Sequence, residues 1–433
     1  MINVMKVDTT DISSIMNEKL LRLEDSYDQI DQVVREVMEQ VKTFGNQALI
    51  NYTEQFDGIS LPSINVRAEE IEAAVQLLDP AFVAILEQAK SNIFDYHLHQ
   101  KEKSWYVNKS DGIILGQQIT PLHRVGVYVP GGKAAYPSTL LMNVIPALVA
   151  GVSEIVVVSP PGKDGKVNPA VLAAASLVGV KEIYAIGGAQ AIAALTYGTE
   201  TIRPVDKIVG PGNIYVARAK KYAFGKVAID MIAGPSEICI IADESQNPLF
   251  IAADLLSQAE HDEMAAAVLI TDSSTVAEQV KLEIEKQLSN LERAAIARKA
   301  IDTYGNIFIV ESIDAAFALA NEMAPEHLEV MVEDAFLQLP KIKNAGAIFL
   351  GKFSPEPLGD YFAGPNHTLP TSGTAKFSSP LGTYDFMKKS SVIYYSENEL
   401  KKVKDQIIDF ANQEGLGAHA NSLSVRFAEG GNK

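Results

Sequence analysis

The chain is 433 residues long, with 47% hydrophobic and 21% charged side chains. That is a globular composition, too long for a single compact core. Acidic residues outnumber basic ones, 54 to 37, giving a formal net charge of −17; such a surface repels phosphate backbones and anionic membranes and argues against a nucleic-acid or membrane-surface role. A single cysteine, Cys239, excludes an internal disulfide and a thiolate-rich zinc site.

The opening stretch, MINVMKVDTTDISS, has neither the basic start nor the apolar core of a signal peptide. The longest uncharged run, between Lys133 and Glu154, carries Pro137, Ser138, Asn143 and Pro146, which is wrong for a membrane span. A cytoplasmic protein is therefore expected. The first twenty or so residues are polar and read as an arm. From Asp8 to about Lys103 the pattern is helical and acidic, with Ile30, Val33, Val34, Val37 and Val41 at helical spacing. At His123 the texture changes to short Val- and Ile-rich runs (RVGVYV, EIVVVS, EIYAI, DKIV) alternating with Ala-rich helical stretches. Such runs, apolar without alternation, predict strands buried on both faces, joined by helices into a doubly wound parallel sheet.

A second α/β block follows. SEICIIAD, AAAVLITDS, NIFIV, LEVMV and AIFL read as strands. Asn247-Pro248 predicts a helix start, and Thr275-x-x-Glu278 a capping box ahead of Val276, Val280, Ile284 and Leu288. Residues 352–382 are rich in Gly, Pro and Ser, too long for an idle connection. Ser396-x-x-Glu399 opens a last helix bearing Leu400, Val403, Ile407 and Phe410 and ended by Gly415 and Gly417. Its single apolar stripe predicts docking on another surface, a partner subunit being one candidate.

Three glycine motifs stand where strands give way to helices: Pro130-Gly131-Gly132, Gly187-Gly188-Ala189-Gln190 and Gly210-Pro211-Gly212-Asn213. Any one of them is explained by turn geometry. Three along one sheet edge point to a ligand edge, because each following helix offers free N–H groups. No G-x-G-x-x-G and no Walker A motif occurs.

Of the seven histidines, His97 and His99 lie in a polar helical stretch and read as solvated, and His123 as structural. Gln258 and His261 share a helix face at i, i+3. Asp254 falls on the same stripe and Glu260 and Asp262 are close, so spacing does not choose among them. Asp360 and His367 lie in the long loop, and His419 follows the Gly-Leu-Gly break. Such a His/carboxylate set suits Zn²⁺ or another borderline divalent metal. Glu326-His327 puts an acid beside an imidazole at a helix-to-strand junction, two proton-transfer groups or a helix-end cap. Cys239, in an apolar strand with no basic neighbour, reads as packing.

Taken together, IDMIAGPSEI (Ile229–Ile238), LLSQAEHD (Leu255–Asp262), APEHLEV (Ala324–Val330), LGDYFAGPNHTLPT (Leu358–Thr371) and EGLGAHANS (Glu414–Ser422), with VGVYVPGG, IGGAQAI and VGPGN, resemble histidinol dehydrogenase over nearly the whole chain. The resemblance implies two incomplete Rossmann-like parallel-sheet domains with helical N- and C-terminal arms. It places a first domain over 23–122 plus 237–381, a second, on the NAD side, over 123–236, and arms at 1–22 and 382–433. It implies oxidation of L-histidinol to L-histidine through the aldehyde, the last two steps of histidine biosynthesis, with two NAD⁺ consumed and one zinc per subunit. The zinc ligands would be Gln258, His261, Asp360 and His419, and the proton acceptors Glu326 and His327. The substrate site would comprise Ser236, Gln258, His261, His327, Asp360, His367, Glu414 and His419. Tyr128, Gln190 and Asn213 would contact NAD. The family is a homodimer, so Glu414 and His419 would reach the site from the partner, with no nucleic acid or membrane involved. A metal-dependent hydrolase would leave the glycine turns without a purpose, and a non-catalytic sensor would not need the Glu-His pair.

Overall fold

The computed structural model describes residues 1–7, 27–110, 112–131 and 135–428; Gly132 of the first glycine motif and most of the expected N-terminal arm lie outside them. In chain order the strands are β1 (Asn3–Lys6), β2 (Trp105–Ser110), β3 (Ile113–Pro121), β4 (Arg124–Tyr128), β5 (Glu154–Ser159), β6 (Glu182–Ala185), β7 (Lys207–Val209), β8 (Ala228–Ile229), β9 (Glu237–Ala242), β10 (Ala266–Thr271), β11 (Asn306–Ile309), β12 (His327–Met331), β13 (Ala347–Leu350) and β14 (Met387–Tyr395). The chain divides into two units, one of residues 1–100 and 122–386, the other of 101–121 and 387–433.

The first unit holds two parallel sheets, ordered β1-β11-β10-β9-β12-β13 and β6-β5-β4-β7-β8. In each, three consecutive strands are laid down in one direction and the next two return to the other side of the first. This is the half-Rossmann order, with its switch between β9 and β12 and between β4 and β7. The expected pair of incomplete Rossmann-like sheets is what the chain forms. β1 adds a strand to the edge of the six-stranded sheet by pairing with β11, where an arm was expected.

The apolar runs form strands because both faces are covered. On one face of the five-stranded sheet, helices Asp28–Asp57, Gly188–Tyr197 and Ile214–Ala223 bury Val34, Val37, Val41, Ile192, Leu195 and Val216 against Val156, Val158 and Ile208. Val33 falls off that stripe and is exposed. In the six-stranded sheet, Ile238, Ile240 and Met331 meet Ile251 and Leu255 of helix Pro248–Ala259. Cys239, Ile241, Leu328 and Val330 face Phe317 and Leu319 of helix Ile313–Met323 instead. Strand alternation therefore puts His327 and Glu329 on the Met331 face, toward helix Pro248–Ala259. Asn247 caps that helix, accepting from Leu249 N–H. The next helix is capped by Ser273, which accepts from Val276 N–H, and not by Thr275. Its hydroxyl sits where the chain leaves extended geometry, the position an N-cap requires.

The second unit is an antiparallel sheet, β14-β3-β2, followed by helices Glu397–Gln413 and Gly417–Ser424. Ser396 caps the first of these as predicted, accepting from Glu399 N–H. Of the stripe on that helix, Phe410 is exposed, and Ala411 is the helix's buried residue. Among the described residues no helix is long and apolar enough to cross a membrane.

Candidate active site

The acid–imidazole pair sits at the amino edge of the six-stranded sheet, beside the switch between β9 and β12. Both side chains are tied to one residue of the neighbouring strand: Glu237 N–H donates to Glu326 Oε2 at 2.9 Å, and His327 Nδ1 donates to Glu237 O at 2.9 Å. A carbonyl can only accept, so Nδ1 carries a proton, and in the neutral ring Nε2 carries the lone pair. That Nε2 is buried without a hydrogen-bond partner among the described residues, 3.6 Å from Asp360 Oδ1. Burial pushes the Glu326 carboxyl up to about 7. Burial opposes a charged His327, but the carboxylates of Glu326 and Asp360 outweigh it and hold the imidazole up at about 10.

Helix Pro248–Ala259 runs antiparallel to the strands, so its carboxyl end delivers Gln258 and, one turn on, His261 to this same edge. Gln258 is 1% exposed and its Oε1 has no partner among the described residues. His261 Nδ1 donates to Ser257 O at 3.0 Å and His367 Nδ1 to Asp360 O at 2.9 Å, so both rings, like that of His327, present Nε2. The ligand atoms of His261, Glu356 and Asp360 lie within 4.8 Å of one another. With the unpartnered Gln258 Oε1 they make a nitrogen and oxygen donor set that fits a borderline divalent cation such as zinc. Glu356 was not singled out from the sequence. It is 2% exposed, and burial together with the Asp360 charge pushes its carboxyl up to about 8. Of the alternatives left open by spacing, Asp254 turns to Glu329, whose carboxyl burial and the Asp254 charge push up to about 9.

The loop bearing Asp360 and His367 is pinned from behind. Asn366 Nδ2 donates to Met142 O at 2.5 Å and lies 3.4 Å from His97 Nε2. His97 is fully buried, not solvated as expected; its Nδ1 donates to Ile93 O at 2.8 Å. It continues the buried stripe Leu86, Ala89, Ile93 of helix Pro80–Leu98, a spacing that could have revealed it. Ser236 is half-buried and immediately precedes Glu237. Glu414 and His419 belong to the second unit, where both are exposed.

The glycine turns fall at the carboxyl ends of β4, β6 and β7, on one edge of the five-stranded sheet. Tyr128 joins two of them: its hydroxyl accepts from Gly188 N–H at 3.1 Å, and a Cβ on Gly210 would stand 2.1 Å from its carbonyl oxygen. Gly131 and Gly187 pack against Pro160, so the glycines answer first to the protein's own packing. The Gly210 peptide is held from both sides, by Asp230 Oδ2 at 2.8 Å and Lys220 Nζ at 2.9 Å, and these two buried charges also pair with each other. Asn213 caps helix Ile214–Ala223 through Val216 N–H. The helix beginning at Gly188 has no side-chain cap from Gly187, and only its first N–H is taken, by the Tyr128 hydroxyl; beside this turn Gln190 has a buried Oε1 without a partner among the described residues.

Two half-Rossmann sheets, a buried acid–imidazole pair and a neighbouring set of donors that could hold a cation define an α/β protein with the groups an enzyme active site needs. The family model for histidinol dehydrogenase matches residues 20–427. The histidinol dehydrogenase of Listeria monocytogenes serotype 4b (strain F2365) is 55% identical over 426 residues, covering 98% of this chain and 100% of the relative. That of Geobacillus kaustophilus (strain HTA426) is 57% identical over 399 residues, covering 92% and 94%. The crystal structure of histidinol dehydrogenase from Elizabethkingia anophelis superposes with a TM-score of 0.92 at 39% identity, covering 98% of each chain. The chain belongs to the histidinol dehydrogenase family. It is therefore an oxidoreductase of histidine biosynthesis, and histidinol is its family's substrate.

Proposed function

We propose that the chain catalyses the NAD- and zinc-dependent four-electron oxidation of L-histidinol to L-histidine through L-histidinaldehyde. The observation that carries this reading is the pair of dissimilar proton acceptors fixed on one strand residue: Glu326 and His327 both bond to the backbone of Glu237, beside the metal donor set. His327, with its proton on Nδ1, takes the hydroxyl proton of the alcohol at Nε2 while the carbinol hydrogen leaves as hydride to the first NAD⁺. Glu326 takes a proton from the water that adds to the aldehyde carbon, and the hydrate gives its hydride to a second NAD⁺. Two hydrides account for four electrons. A carboxyl pushed up by burial to about 7 is matched to this work at neutral pH. Cys239 is fully buried, and burial raises its thiol well above the ordinary range, which favours water over a thiol as the nucleophile.

Gln258, His261, Asp360 and Glu356 would hold the zinc, with His419 supplied by the partner subunit. When bound, the cation orients the nitrogen donors of histidinol and offsets the carboxylates that keep the proton on His327. Ser236 and His367, with Glu414 across the dimer, line the substrate. Tyr128, Gln190 and Asn213 lie at the edge proposed for NAD, supported by the helix start at Gly188. This reading gives a cytoplasmic homodimer in which 123–236 forms the NAD side and 382–433 crosses to the partner.

Glu326→Gln tests the division of labour. With the two half-reactions measured separately, histidinaldehyde oxidation is expected to fall by about 10²–10⁴ and histidinol oxidation by much less. Equal losses in both would contradict the assignment.

A further inference from the structure

We propose that Glu329 is a positioning residue that clamps the metal-binding loop to the sheet before any cation arrives. β12 is an interior strand, paired on one side with β9 and on the other with β13, and Glu329 in its centre is 1% exposed. Its neighbours in register are Ile240 and Phe349, and the next residue on its face is Met331. Asp254 turns to Glu329 from helix Pro248–Ala259, and a carboxyl buried beside that second acid needs a compensating bond. Glu329 Oε1 has one: it accepts the backbone N–H of Glu356 at 2.7 Å. Glu356 begins the turn Glu356–Leu358, which runs directly into Gly359–Ala363 with Asp360. Its carboxylate in turn accepts from Ser257 Oγ at 3.2 Å, next to Gln258. Two buried acceptors in series, Glu329 and Glu356, thus tie strand, loop and helix together, the first of them fixing the loop to the strand. Without it the Glu356 N–H would be buried and unsatisfied, and the loop would lose its fixed starting point. The inference rests on the metal reading above.

The test is Zn²⁺ affinity of the purified full-length protein, measured by competition with a chromophoric chelator. Glu329→Leu removes the acceptor, and affinity is expected to fall by about 10–100-fold. Glu329→Gln keeps an acceptor of the same reach and should stay within about threefold of the wild type. Leucine and wild type binding alike, or glutamine losing as much as leucine, would overturn the clamp. Should the leucine variant fail to fold, hydrogen exchange in the metal-free wild type decides. The Glu356 amide is expected to exchange slowly and to change little on adding Zn²⁺. Exchange as fast as an unstructured amide, slowed only by Zn²⁺, would overturn the proposal. A wild-type protein that takes up no Zn²⁺ overturns the metal reading itself, whatever the exchange rate, so the two failures are distinguishable.

Discussion

In the five-stranded sheet the conspicuous residues stand where β4, β6 and β7 end; in the six-stranded sheet they stand where β9 and β12 begin. The strand order is the same in both, so the topology offers the same crevice beyond the carboxyl ends twice. Side chains decide which is usable. Beyond β9, β10 and β12 the six-stranded sheet carries Asp243, Glu244, Asp272 and Glu333, and Asp243 spends its carboxylate on the N–H groups of Ser245 and Glu333. Four carboxylates repel a phosphate. Beyond β4, β6 and β7 stand glycines, Pro130 and Pro211, with the charges of Asp230 and Lys220 buried and paired. At the opposite edge of the six-stranded sheet, the buried carboxylates of Glu326 and Glu356 gather with Asp360 and the imidazole of His327. In the function proposed above, one fold unit used at two edges divides the hydride acceptor from the proton acceptors.

This contrast can be broken from either side. The largest effect is expected from Gly210→Ala, which forces a Cβ to 2.1 Å from the Tyr128 carbonyl at φ +110°. Stability in urea should fall by about 1–3 kcal/mol. The KM for NAD⁺ should rise while that for histidinol stays within about twofold. A rise in both alike would dissolve the distinction between the edges.

The amino edge predicts a pH dependence of opposite character to an ordinary acidic protein. Glu326, Glu356 and Glu329 bind protons more tightly folded than unfolded, at about 7, 8 and 9 against an ordinary value of 4.5. Each therefore loses stabilisation as pH rises from about 4.5 through its folded value. His327, held up at about 10 against 6.5, contributes fully below 6.5 and loses its contribution as pH rises through 10. Between pH 6 and 9 Glu356, Glu329 and His327 act in one direction, joined by Glu326 up to about 7, and none of the four opposes it. The Tm of the metal-free protein, followed by differential scanning fluorimetry, should fall over that interval, and less steeply in Glu326→Gln. A flat profile in the wild type would contradict the buried-carboxylate picture. The smallest effect is expected at the unused edge: Asp272→Asn should leave kcat/KM for both NAD⁺ and histidinol within about twofold.

Much of this was legible in the sequence because burial writes a strong signal. Runs such as EIVVVS and EICIIA can only be strands covered on both faces, and the glycine turns mark their carboxyl ends. β2, β3 and β14 escaped because they are half-covered or exposed along most of their length: MKKSSVIYY has neither a buried run nor a clean alternation. Glu356 escaped because it lies in a Pro-flanked polar loop where an acid is unremarkable. Glu329 left a trace in LEVMV, where alternation puts it on the His327 face, but its partner is a backbone N–H from a distant loop, which no local pattern records. His97 was misread for the converse reason: polar neighbours on the exposed side of its helix masked the buried stripe it completes.

The most direct test of the central claim is the yield of NADH from limiting L-histidinol, read by absorbance with Zn²⁺ supplied. Two molecules of NADH per histidinol is the result expected if one site carries both oxidations with His327 and Glu326 in turn. One would mean that the aldehyde escapes and that Glu326 does not activate water, and none from folded, metal-loaded protein would contradict the reaction itself.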